Sequence, residues 1–71
     1  IQTIINAVTD FFGVKIQELQ SKRSQRSIAQ PRQVCMYLAR RHTRFSLEEI
    51  GGHFGGRDHT TVMHAVRTIQ E

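Results

Sequence analysis

The chain is predicted to be all-α, a single small helical domain whose later part is a helix-turn-helix. Three observations predict this. Apolar residues recur at helical spacing in three separate stretches, a capping box and a glycine pair punctuate the last two helices, and no stretch alternates apolar and polar residues as a strand would. Seventy-one residues allow one domain, spanning 1–71. A domain this small buries only about 60% of its unfolded surface, so its core is thin and a deep enclosed active site is not expected.

The first helix is expected over "IQTIINAVTDFF", where Ile1, Ile4, Ile5, Val8, Phe11 and Phe12 fall on one face and Gly13 supplies the stop. Val14, Ile16 and Leu19 support a short second helix. The polar, basic "SKRSQRS" at 21–27 has nothing apolar to bury and is expected to be an exposed loop. A third helix follows, with Ser27 as its cap and Pro31 in its first turn, where a missing N–H costs nothing. Ile28, Val34, Cys35, Leu38 and Ala39 form its buried stripe, while Arg32, Gln33, Arg40, Arg41 and Arg44 occupy other faces or its end. "SLEE" at 46–49 is a capping box that starts a fourth helix lined by Leu47, Ile50 and Phe54. Gly55 and Gly56 end it. Asp58 caps a fifth helix whose stripe is Val62, Ala65, Val66 and Ile69, which places a helix-turn-helix over about 46–71.

Charge is distributed unevenly. Between Glu18 and Glu48 there is no acidic residue, and seven of the ten Lys and Arg residues lie in that interval, within a net charge of +4. Such a field favours a polyanion, either nucleic acid or an acidic membrane surface. Membrane lipid is the weaker fit, because the cations are not paired with an exposed apolar face. Cys35 is the only cysteine, set in an apolar pattern, and reads as a small core hydrophobe in a reducing compartment. No apolar run approaches the roughly 20 residues of a membrane span. The chain starts and stops inside apolar helical patterns, which suggests a piece of a longer protein.

The cluster "GGRDHTTVMHA" at 55–65 admits several chemistries. A Walker-type phosphate loop needs a different glycine spacing followed by Lys and Ser or Thr. A metal site from His53, His59 and His64 is disfavoured, since His59 and His64 lie about 140° apart on a helix. An Asp58–His59 catalytic pair would have its members pointing in different directions. DNA reading makes other demands, and they are met. With Val62 facing the core, Thr60, His64 and Arg67 face outward and Met63 sits at the edge. Asp58 can accept from cytosine N4, His59 and Thr60 can donate or accept, Met63 or a threonine methyl can pack on a thymine methyl, and Thr61 can hold a phosphate. The competing class is a protein-interaction module whose basic surface is incidental.

"IGGHFGGRDHTTVMHA", with "PRQVCMYLARRHT" and "SLEEIG", closely resembles the C-terminal DNA-binding domain, domain IV, of the bacterial replication initiators of the DnaA family. The likeness covers essentially the whole chain. It implies an all-helical, Trp-repressor-like helix-turn-helix that binds double-stranded DnaA boxes of the TTATNCACA type at the replication origin. It implies base reading by Asp58, His59 and Thr60, Met63 at the thymine-methyl position, and Thr61 and His64 near phosphates. It also places Arg32, Gln33 and Arg26 on the DNA backbone and puts Arg40 where the family often has a basic residue. Family members insert a basic loop residue into the minor groove. Ser24 stands at that position here, leaving Arg23 as the substitute and Arg26 as the other candidate. Glu48 replaces a common DNA-contacting proline, and Thr68 a usual charged residue. No cofactor is expected in these residues: ATP and magnesium belong to a preceding AAA+ domain. The resemblance further implies a monomeric domain, a full-length protein that oligomerises at the origin, and a cytoplasmic, nucleoid-associated location.

Overall fold

In the computed structural model, which describes residues 1–70, the helices run α1 (Gln2–Phe12), α2 (Ile16–Leu19), α3 (Arg26–His42), α4 (Leu47–Gly52) and α5 (His59–Gln70). No strand occurs among the described residues. Glu71, the last residue of the expected helix-turn-helix, lies outside them. The punctuation residues act as expected at three points. Gly13 takes a left-handed conformation and donates its N–H to Thr9. Ser46 and Glu49 exchange both capping bonds, at 2.9 and 3.1 Å. The Asp58 carboxylate accepts the Thr61 N–H at 2.9 Å, which starts α5.

Helix α3 is the axis of the domain. It packs against each of the other four helices, most extensively α5, and α4 in turn packs on α5. Cys35, Met36 and Ala39 of α3 meet Ile5, Val8, Leu19, Ile50, Phe54, Val62 and Ala65 in one core. Leu19, Ile50, Phe54 and Val62 are wholly buried. Each such side chain contributes about 1.5–3 kcal/mol on burial, so in a thin core these few hold the helices together. Burial also pushes the Cys35 thiol up to about 12, leaving it a neutral packing group.

Five local expectations are corrected. Phe11 and Phe12 do not continue the buried stripe of α1: Phe11 is 84% exposed and packs edge-on to the ring of Phe12. The chain turns at Gly13 directly after them, and the end of the helix is left facing solvent. Helix α3 starts earlier than expected, since Ile28 and Ala29 already bond to the Gln25 carbonyl; Arg26 and Ser27 are therefore helical and Ser27 is not the cap. The loop is correspondingly shorter, ending at Gln25. Pro31 then falls in the second turn, where its ring is buried and its missing N–H leaves the Ser27 carbonyl without a helical donor. Arg32, expected outside, is buried.

The turn between α4 and α5 is built by close backbone approach. The Gly51 carbonyl accepts the N–H groups of Phe54 and Arg57, both at 3.0 Å. The chain is drawn back so tightly that a Cβ on Gly51 would lie 2.0 Å from the Arg57 carbonyl oxygen. We expect Gly51→Ala to cost about 3 kcal/mol through overpacking, lowering the thermal midpoint by at least about 12 °C in a domain of this size. Gly52→Ala, whose Cβ would meet nothing within 4 Å, is the control and leaves the midpoint unchanged or raised in the same circular-dichroism melts.

Candidate nucleic-acid interface

Helix α5 is anchored on one side and open on the other. Val62 and Ala65 are buried, Val66 and Ile69 half-buried, and His59, Thr60, Thr61, Met63, His64 and Arg67 exposed. This division follows from the 3.6-residue period once Val62 is fixed against α3 and α4. The first two turns therefore present hydrogen-bonding side chains and one flexible thioether to solvent, with Met63 38% exposed. Asp58 is exposed at the N-terminus, and one of its carboxylate oxygens is occupied by the cap.

The remaining predicted residues fall around depressions where α5 meets its neighbours. A cavity of about 250 Å³ between α3 and α5 brings together Arg32, Gln33, Thr61 and His64, and adds Arg57. Beside it, a second of about 470 Å³ is lined by Ser24, Arg26, Gln30, Gln33 and Thr68. A third of about 320 Å³ joins Arg40 to Met63 and Arg67. Arg23 is exposed in the loop, its guanidinium 4.0 Å from Glu18. Exposed pairs of this kind are worth little, so Arg23 is effectively free to turn to another anion. The Thr68 hydroxyl is engaged with the His64 carbonyl of its own helix at 2.8 Å.

Arg32 departs from the expected arrangement. Only 5% exposed, it donates from Nε to Leu19 O at 2.7 Å and from Nη2 to the carbonyls of Ser21, Arg23 and Glu18 at 3.1, 2.9 and 3.3 Å. Burial, and then the neighbouring Arg57 charge, lower its pKa from the ordinary guanidinium value, and it remains charged at neutral pH. Its visible work is to tie α3 to the end of α2 and to the basic loop. Arg57 was missing from the predicted site. Its guanidinium reaches Ser21 O at 2.8 Å and also the Phe54 carbonyl. In the sequence Arg57 shows only as a charge beside Asp58 within the family motif, and a partner 36 positions away leaves no local pattern.

The histidines do not gather. His53 caps α4 and lies against the Phe45 ring, 5.8 Å between centroids, while His59 and His64 sit on the open face of α5. Among the described residues no group of three or more metal-ligating side chains converges, and none of the helices is long and apolar enough to cross a membrane. Arg23–Glu18 is the sole ion pair there, so most of the cations on this surface have no carboxylate partner.

Residues 1–69 match the family described as the bacterial dnaA protein helix-turn-helix. Chromosomal replication initiator proteins DnaA are close in sequence: that of Herminiimonas arsenicoxydans is 54% identical over 69 residues, 97% of this chain. The Leptothrix cholodnii protein is 55% identical over the same share, and that of Bordetella pertussis 54% over the entire chain. The chain spans only 14–15% of the length of these relatives.

The cap of α5 has a pH signature. The Thr61 N–H holds the Asp58 carboxyl below its ordinary value of 3.8, so its contribution to stability is fully present above that value and is lost as pH falls through the depressed one. Asp58→Asn keeps an acceptor that does not titrate. In thermal melts from pH 6 to about 2.5, wild type is expected to lose stability relative to this variant below about pH 4. A difference that stays constant over that range overturns the assignment of the cap.

Proposed function

From the membership of this chain in the bacterial DnaA helix-turn-helix family, we propose that it binds double-stranded DNA of the DnaA-box type, TTATNCACA-like, and thereby places the protein that carries it at the chromosomal replication origin. The observation that carries the reading is the open first half of α5: a helix end rich in hydrogen-bonding groups, held by buried Val62 and flanked by cations. A major groove admits such a helix, and its N-terminal residues meet base edges.

In this reading Asp58 accepts from a cytosine amino group with the oxygen lone pairs not used by the cap. His59 and Thr60 hydrogen-bond to neighbouring bases, and Met63 packs on a thymine methyl. Thr61 and His64, with Gln33 across the α3–α5 cavity, hold one phosphate run. Arg26 and Arg40 hold others, and Arg23 or Arg26 reaches the adjacent minor groove where Ser24 is too short. Arg32 acts from beneath, by holding the loop. Glu48, exposed in the first turn of α4, makes no phosphate contact because like charges repel.

The domain acts as a monomer within a longer cytoplasmic, nucleoid-associated protein that oligomerises at the origin. The sequence contains no Walker glycine loop, and the proposal runs no step through nucleotide or magnesium.

Lys22, Arg23, Arg26, Arg40 and Arg67 are the exposed cations of the loop and of the surfaces beside α5. Neutralising about five phosphates gives a slope of log affinity against log salt near −4 to −5, read by fluorescence anisotropy with a box duplex. His59→Ala is expected to weaken box binding by about 1–3 kcal/mol while changing random-duplex binding little. An unchanged preference for box over mutated-box DNA in that variant removes His59 from the reading set. A salt-insensitive affinity would favour the protein-interaction module instead.

A further inference from the structure

The loop at 21–25 has no apolar side chain with which to fix itself: Lys22, Arg23, Ser24 and Gln25 are all exposed. Its backbone has one fastening of its own, from the Arg23 N–H to Ser21 Oγ at 3.2 Å; the others come from more distant parts of the chain. Arg32 of α3 donates to Ser21 O and Arg23 O. Arg57, from the turn before α5, donates to the same Ser21 oxygen at 2.8 Å and to Phe54 O. The Gln20 amide donates to His53 O at 3.1 Å. Gly55, at φ +82°, lets the turn approach so closely that a Cβ there would sit 2.5 Å from Gln20 O.

Two guanidinium groups thus converge on one carbonyl oxygen, and neither has a carboxylate partner among the described residues. Like charges at such a distance repel, so the arrangement persists through its hydrogen bonds to the loop, since no ion pair supports it. Arg57 directly precedes Asp58, and its own N–H is bound to Gly51 O. The residue is therefore tied by its backbone to α4 and by its side chain to the loop, one position before α5 begins.

We infer that Arg57 is a positioning residue: through the Ser21 carbonyl it locks the basic loop to the α4–α5 turn, so that the loop and the reading end of α5 meet DNA as one rigid unit. This rests on the reading of loop and α5 as DNA contacts proposed above. Arg57 sets the distance and angle between them, and Arg32 supports the same carbonyl from the other side.

Two variants of the whole chain separate this role from a direct phosphate contact or a merely structural one. Arg57→Met removes the donors; Arg57→Lys keeps the charge but loses the fork that reaches two carbonyls. In the free protein, NMR order parameters of residues 22–25 are expected to fall from helix-like values near 0.85 toward 0.6 or below in both variants, with those of α5 unchanged. In box-DNA titrations both are expected to bind about tenfold more weakly. The pair Arg23→Ala with Arg26→Ala is expected to weaken wild type about tenfold but to cost less than about threefold in either Arg57 background, because an unfixed loop has little left to lose. Loop order that survives in Arg57→Lys, wild-type binding by Arg57→Lys, or full additivity with the loop substitutions each overturns the inference. If instead the loop pair binds like wild type in the unaltered background, the loop does not touch DNA and the proposed reading of it fails. The order parameters then decide on their own whether Arg57 fixes the loop.

Discussion

Arg32 donates to four backbone carbonyls from inside the domain, and the arrangement of the basic surface depends on it. A buried cation with no carboxylate partner is costly to desolvate, and only hydrogen bonds can offset that cost. The carbonyls of the last turn of α2 and of the loop have the complementary need, since the final carbonyls of a helix and those of an irregular segment lack i+4 donors. Each side therefore satisfies the other. The result holds a short, polar, highly charged segment in one place without any hydrophobic burial of its own.

The second constraint is the compactness of the α4–α5 turn. Arg57 is bound to Gly51 through the backbone, and Gly55 lies against Gln20. Side chains at either glycine would hold the elements apart, and α5 would no longer be seated by Val62. A surface helix presents a chosen face only if its entry angle is fixed, and here that angle is set by backbone contact. The Asp58 cap then determines where α5 begins, and hence which residues make up its first turn.

The same tightness explains the character of the exposed surface. Among the described residues, the carboxylates of Asp58 and Glu49 are engaged in caps. The cations are left to solvent, which costs little stability in an isolated domain and produces an uncompensated positive field. The hydrogen-bonding groups of α5 lie within that field, so attraction and discrimination reside on different residues. This is the division of labour that nucleic-acid recognition uses.

The sequence by itself determined what is local. Helical periodicity placed α1, α3 and α5, and Val62 with Ala65 was enough to orient the outward face of α5. Gly13, the Ser46–Glu49 box and Asp58 marked boundaries because their effects act within a turn of the chain. The family was legible in the motif around Arg57 and Asp58, and the match over residues 1–69 agrees. Tertiary structure alone decided the rest. Phe11 continues an apolar stripe on paper and lies in solvent, because periodicity does not say how far along a helix its neighbours extend. Arg32 was expected on an outer face against DNA and Arg57 carried no assigned role; both are donors to carbonyls 9 to 36 positions away in sequence that the fold brought to them. Periodicity reports which face of a helix is apolar; it carries no information about which distant backbone groups will need a donor, and that need is what fixed the basic loop.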